Sequence, residues 1–505
     1  MNGGESDQPE PAGVCRFDLF EAVSASSLTF FRVVFGTVLA AWGWDYITSG
    51  RLRSLYVEAP FHFTYQTLPF VSPPAGDGLY VLVLAMTVLA LMVATGLFYR
   101  LAATSLAIAW IYFFLLEKTN YQNHYYLTIL ICGSLAVMPM HRQLSLDVWL
   151  GRVAPSGSIP RWCVWLTRFH IGLPYVFGGI AKLNPDWMLG EPMRTHLSTK
   201  ADVPLVGDIL SHESAGLLFS YGGLSFDLAV VPALLWPRTR RFAYVGCVIF
   251  HVVNSALFDI HIFPWLMILA TTVFFKPDWP ERLLSAASGA GSRVLEGTIS
   301  GANSPAPKTA DARSVRLRKL GLLCLSGYMI FHVTWPFRHR LYGGDASWTE
   351  QGHLFAWRMM LRIKHGGVRY YITDPRKRET TIPDLRAYLT PEQLGKFPRD
   401  PAMVLQLAHE LARRREQELG YSVEVRALVL LSLNGRAPQP LIDPNVDLTR
   451  IPAGSKDRWW VLPQRESLRA EPWDYPLLQW EQLVELPPLE FLDRAPLVRD
   501  ERRPG

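Results

Sequence analysis

The residues that invite chemistry in this chain sit where hydrocarbon should be. Lys182 ends the apolar run IGLPYVFGGIAKL, and Asn123-His124 open another, NHYYLTILICGSLAVMPM. His251, Asn254, Asp259 and His261 fall together in HVVNSALFDIH. A cation or a protonatable nitrogen beside apolar chain is costly, so it has a partner or a task. Lys182 has two readings. Near the end of a span it can snorkel, its stem in hydrocarbon and its amine among headgroups. Partial desolvation instead disfavours the ammonium form and leaves an amine suited to general-base work. Gly178 and Gly179, one turn earlier, allow a second helix or a flat ligand to approach closely. The following LNPDW stops and turns the helix.

His124 either bridges helices and holds a tyrosine hydroxyl, or, with Asn123, donates hydrogen bonds to a developing oxyanion. Asn123 equally suits a helix N-cap. His251 and Asn254 are three residues apart and share a helical face. A metal site in HVVNSALFDIH lacks an HExxH-like pattern. Satisfying a broken helix, or binding the polar edge of a cofactor, accounts for these groups more simply.

The elements that must position these residues follow from apolar length. Spans of roughly 20 residues are expected at about 24–46, 79–98, 101–116, 125–138, 162–180, 215–236, 242–253, 262–275 and 320–335. The fold class is therefore an all-α transmembrane domain of about nine helices, followed by an α+β, sheet-containing domain outside the membrane. Arg32, Trp42, Trp44 and Tyr46 read as interfacial anchors of the first span. Glu117 and Lys118 read as an ordinary external loop pair. The boundaries are a polar tail at 1–16, a transmembrane catalytic domain at 17–336 and a soluble domain at 337–505.

The chain of 505 residues carries a formal charge of +6, and its arginines and lysines cluster between apolar runs. That pattern fits anionic headgroups; no basic stripe or zinc spacing points to nucleic acid. The positive-inside bias puts the N-terminus in the cytoplasm and the C-terminal domain outside, against the local pattern of Arg51 and Arg53. The N-terminal segment lacks a signal-peptide pattern, so the first span is expected to do the targeting. Five cysteines are scattered, none beyond Cys324, so no disulfide staples the C-terminal domain.

Residues 285–312, rich in Gly, Ala and Ser, read as a flexible loop. WRMMLRIKHGGVRYYITD and VEVRALVLLSLNG alternate like strands. Between them, MVLQLAHELARRREQELG is a helix with Val404, Leu407, Ala408 and Leu411 on its apolar face, ended by Gly420. The tail, rich in Pro, Trp and Leu, is expected to pack as irregular coil.

Several of these blocks, in order, resemble the vitamin K-dependent gamma-glutamyl carboxylase family, in its bacterial-type form. LEKTNYQNHYYL is similar to the segment around the family's oxygen-handling histidine, and YVFGGIAKLNPDWMLGEPM to that around its catalytic lysine. FHVVNSALFDIHIFPW, LYGGDASWTEQGHLFAWRMML and LNGRAPQPLIDPNVDL extend the likeness from about Phe17 to Pro463. The resemblance implies γ-carboxylation of glutamate coupled to epoxidation of reduced vitamin K, a menaquinol or phylloquinol, with oxygen and carbon dioxide as co-substrates and no metal.

It implies Lys182 as the base toward the hydroquinone. It also implies His124 as the residue stabilising the oxygenated intermediate, beside Asn123. Tyr175, Phe177, Gly178, Gly179, His251 and Asn254 are then expected around the quinone. The implied partners are a glutamate-containing peptide or protein, membrane lipid and, indirectly, a quinone reductase. The implied location is a bacterial inner membrane. The chain departs from animal enzymes at Ala181, where they carry a second lysine, at Tyr125, and in lacking their inter-domain cysteine pair. Quinol oxidation without carboxylation is the alternative. A non-enzymatic scaffold or transporter is the third reading; a transporter usually shows internal repeats, and none is seen.

Overall fold

The computed structural model describes residues 17–200, 207–258, 260, 262–287, 312–469 and 471–498. Asp259 and His261, and most of the Gly/Ala/Ser-rich loop, lie outside them. Each apolar segment expected to span becomes a helix. They are α1 (Ser26–Thr48), α2 (Gly78–Thr95), α3 (Tyr99–Leu115), α4 (Asn123–Val137), α5 (Arg161–Ala181), α6 (Glu213–Leu235), α7 (Arg240–Leu257), α8 (Phe263–Thr271) and α9 (Ala312–Thr334). By length and apolarity, four regions among the described residues suffice to cross a membrane: 26–48, 78–95, 214–235 and 315–341. A short ribbon, β1 (Ala22–Ser24) against β2 (Ser158–Pro160), ties the start of α1 to the start of α5.

The C-terminal region is a four-stranded antiparallel sheet with one long helix on it. The strands are β3 (Lys364–Asp374), β4 (Glu379–Thr381), β5 (Glu424–Leu433) and β6 (Gln439–Pro440), in the order β4-β3-β5-β6. The central pair runs from Lys364 opposite Leu433 to Thr373 opposite Glu424. Period-2 alternation gives this sheet two buried faces. Tyr370, Ile372, Val425, Ala427, Val429 and Leu431 join the core with α10 (Pro401–Leu419). Tyr371, Leu428 and Leu430 pack under Trp480 and Phe491 of the tail. Helix α10 begins where Asp400 accepts a hydrogen bond from the Ala402 amide (2.8 Å) and ends at Gly420, whose φ of 78° suits a left-handed cap.

Three expectations fail for physical reasons. Residues 357–363 do not extend β3: Trp357 (φ 56°) and Met360 (φ 58°) turn the chain out of the extended region. Of the supposed anchors, only Trp44 is exposed. Trp42 and Tyr46 stack in the bundle core beside Trp110 and Phe113. Arg32 is fully buried and donates to the carbonyls of Met140 (2.7 Å) and Leu144 (2.6 Å), backbone acceptors left free beyond α4.

Nor is Glu117-Lys118 an external pair. Glu117 receives hydrogen bonds from the Phe63 amide (3.3 Å) and Gln393 Nε2 (3.0 Å), and contacts His62 Nδ1 (3.1 Å). Lys118 Nζ lies 2.6 Å from Asp400 Oδ2. Both residues are buried where the helical region meets the sheet domain. On the other side of that seam Arg436 grips Asp186 with two bonds of 2.7 Å.

Candidate functional site

The bundle end that faces the sheet domain holds a cavity of about 800 Å³. Each wall has a sequence reason. Helix α5 ends at Lys182 because Asn184 caps the next turn: its side chain accepts from the Trp187 amide (3.1 Å), with Pro185 at the first helical position. Lys182 is thereby held at the cavity edge. Gly178 and Gly179 bring α6 against α5. A Cβ on Gly179 would sit 2.8 Å from Leu228 Cδ2, and one on Gly178 would sit 3.3 Å from Asp227 Oδ2. The small residues thus admit a helix at this point.

Lys182 Nζ lies 2.6 Å from Asp227 Oδ2 and 5.0 Å from the centre of the Trp187 ring. Lysine and aspartate are both buried. The amine is therefore turned into the protein and does not snorkel. Asp227 was missed in the sequence, although it is the one charged residue in the apolar run 215–236. The rule that singled out Lys182 applies to it equally.

His124 and Asn123 enter the lining from the start of α4. The His124 ring stacks on Phe263 of α8, with centroids 5.1 Å apart. Asn123 is not the N-cap; that position is Gln122, and Asn123 Oδ1 accepts from the Tyr121 hydroxyl (3.1 Å). Tyr121 in turn accepts from the Phe355 amide (2.6 Å), which ties this corner to the sheet domain. From α7 come His251 and Asn254, side by side on the cavity as their spacing predicts. His251 Nε2 meets the Tyr175 hydroxyl at 2.6 Å, while its buried Nδ1 has no hydrogen-bond partner among the described residues. Phe177, Gly178 and Gly179 do not themselves line the cavity; the Phe177 ring packs edge-on against Phe337.

The segment displaced from β3 supplies the lid. Arg358, Met359, Met360 and Arg362, together with His353, line the cavity from the sheet-domain side. Glu350 holds Arg362 with two bonds (2.7 and 2.6 Å) and Lys364 at 2.5 Å. Burial raises the Glu350 carboxyl, but Arg362 and Lys364 outweigh it and hold the group below its usual range. Arg358 donates to Ser347 Oγ (3.1 Å), and its buried Nε has no hydrogen-bond partner among the described residues. His353 is kept neutral: burial, then the cations Arg362, Arg358 and Lys364, push it well below the ordinary histidine range. Among the described residues, no group of three His, Cys, Asp or Glu converges as metal ligands would.

Residues 20–279 match the HTTM domain family, and residues 317–467 match the vitamin K-dependent gamma-carboxylase lumenal domain. The chain belongs to the vitamin K-dependent gamma-carboxylase family. No solved structure matches it. In this family member the cavity lies between the two matched regions, with residues of both in its walls. Membership, with the four long apolar helices, suggests a membrane enzyme with a lumenal-type domain, dependent on vitamin K hydroquinone and acting on glutamate-containing protein.

Proposed function

We propose that this protein γ-carboxylates glutamate residues and couples that reaction to oxidation of vitamin K hydroquinone to its epoxide. The supporting observation is the convergence of Lys182, His124, Asn123 and Asp227 on one cavity with apolar walls. Its volume suits a small organic cofactor. The fit is supported at Gly222 and Gly223, which line the cavity with bare backbone. It is also supported by the unpartnered Nδ1 of His251. Phe226, Phe250, Phe263 and Met267 would hold the ring, and the exposed Leu218, Ile249 and Val253 would let a lipid-soluble tail lie toward hydrocarbon.

The reduced quinone, when bound, supplies with oxygen the strong base that no side chain can provide for a carbon acid as weak as glutamate. The protein's part is to bind, orient and exclude water. Lys182 Nζ takes the proton of a hydroquinone hydroxyl. His124 and Asn123 donate hydrogen bonds to oxygen-centred negative charge as it develops. Arg358 meets the incoming glutamate carboxylate at the lid, where a bidentate guanidinium suits that shape. The lid keeps the site dry. The cationic lid favours carboxylation over quinol oxidation alone, since oxidation needs no carboxylate site. The protein is read as lying in a bacterial inner membrane, its N-terminus cytoplasmic and its sheet domain outside.

The test is one reaction of purified protein in lipid with reduced vitamin K, oxygen, labelled carbon dioxide and a Glu-rich peptide library. Epoxide and fixed label, both lost in Lys182→Ala, are the expected result. Epoxide without label in any peptide favours the quinol-oxidising reading. Unchanged epoxidation by folded Lys182→Ala sinks the base assignment.

A further inference from the structure

Lys182 does not face the cavity alone, and its partner changes what it can do. The amine and the Asp227 carboxylate are 2.6 Å apart and both buried. Both line the cavity. An ammonium already bonded to a carboxylate has no lone pair with which to accept a proton. A buried carboxylate bonded to that ammonium does have acceptor capacity. We propose that the base of this site is the Lys182–Asp227 pair, with Asp227 as the final proton acceptor. The proposal rests on the vitamin K reading above.

The step balances. At rest the pair shares one acidic proton and is neutral overall. Lys182 passes that proton to Asp227 Oδ2 and takes the hydroquinone hydroxyl proton onto Nζ. The pair then carries one positive charge, and the oxygen left behind carries one negative charge. The new ammonium lies beside that oxygen, an attraction strengthened by the dry surroundings. Trp187 supports the same state, since its ring face favours a cation near Nζ. Among the described residues, the other titratable or charged groups facing the cavity are Tyr121, His124, Tyr175, His251, His353, Arg358 and Arg362. None of these described groups is a carboxylate, and Asp227 Oδ2, 2.6 Å from Nζ, is the acid–base partner of Lys182.

Two measurements test the proposal. The first needs no quinone: acylation of Lys182 by an amine-reactive reagent at a fixed neutral pH, read by mass spectrometry, in the wild type, Asp227→Glu and Asp227→Asn. Losing the carboxylate frees the amine, so Asp227→Asn should label at least about tenfold faster. Asp227→Glu should label like the wild type. Equal labelling of all three overturns the pair.

The second is epoxidation. Asp227→Asn should lose at least about a hundredfold in kcat with KM changed less than threefold, within the range for a lost acid–base group, and Asp227→Glu should recover part of it. Faster labelling with normal kcat overturns Asp227 as acceptor. Faster labelling with no epoxide from the wild type overturns the vitamin K reading, and the proton transfer with it. If Asp227→Asn does not fold, infrared spectra of Lys182→Met decide. A protonated-carboxyl band absent from the wild type and present in this variant supports an ionised resting pair; a band already present in the wild type overturns it.

Discussion

Two lysine–aspartate pairs in this protein have the same chemistry, the same 2.6 Å separation and nearly the same burial, yet opposite surroundings. Lys118–Asp400 lies in the seam between the helical region and the sheet domain, and Asp400 also caps α10 through the Ala402 amide. Lys182–Asp227 lies on the wall of an 800 Å³ cavity. A buried ion pair is weak evidence of net stability, because desolvation offsets much of the attraction. Such a pair therefore has its meaning in its neighbours. Burial of the first in the seam makes it a register for docking two regions. Open space beside the second makes it available to a substrate.

The sharpest way to break this contrast is Lys182→Met. Epoxidation should fall by at least about 1,000-fold, in the upper part of the range for a lost general base, because the whole pair is disabled. Hydroquinone binding, measured anaerobically, should persist. An activity loss as small as that of a seam variant would erase the distinction. The reciprocal change, Lys118→Met, should destabilise the fold by about 3–5 kcal/mol, the cost of leaving a buried charge unpaired. The kcat of what remains folded should stay within about threefold. Denaturant unfolding and turnover on the same preparation check both halves. His124→Ala should cut turnover by about 100-fold or more, as loss of an oxyanion donor does, while quinone binding is retained. Normal turnover would remove its proposed role.

The smallest expected effect concerns pH and the lid. His353 stays neutral in the folded protein, its protonation opposed first by burial and then by Arg362, Arg358 and Lys364. Below about pH 6.5 the unfolded chain binds a proton there that the folded chain does not. Stability from this residue is therefore complete above that pH and falls as pH drops, by about 1.4 kcal/mol per unit. Melting curves between neutral and mildly acid pH should show this slope, and His353→Gln should flatten it.

Much of this architecture was legible in the residues themselves. Apolar runs located α1 to α9, because a helix that meets hydrocarbon must be apolar over most of its length. Period-2 alternation located β3 and β5, and Val404, Leu407, Ala408 and Leu411 marked the buried face of α10. The candidate site was half legible. Lys182, Asn123, His124, His251 and Asn254 stood out because polar groups are rare in such runs. Asp227, the one charge in the run 215–236, carries the same signal.

Other residues gave no local signal at all. Trp42 and Tyr46 look like interfacial anchors until α3 and α4 are seen to cover them. Glu117-Lys118 looks like a loop until Gln393 and Asp400 arrive from about 280 positions further along the chain. Arg358 and Arg362 look like strand residues until the turn at Trp357 and Met360 aims them at the cavity.

The sequence by itself determined where the helices and strands lie, which groups are out of place in hydrocarbon, and the family. Those follow from local periodicity and from the cost of a buried charge, both readable along one stretch of chain. Only the tertiary structure decided which charge answers which. A pairing such as Lys182 with Asp227 depends on two helices meeting at small residues, and that distance is set by packing between segments far apart in sequence.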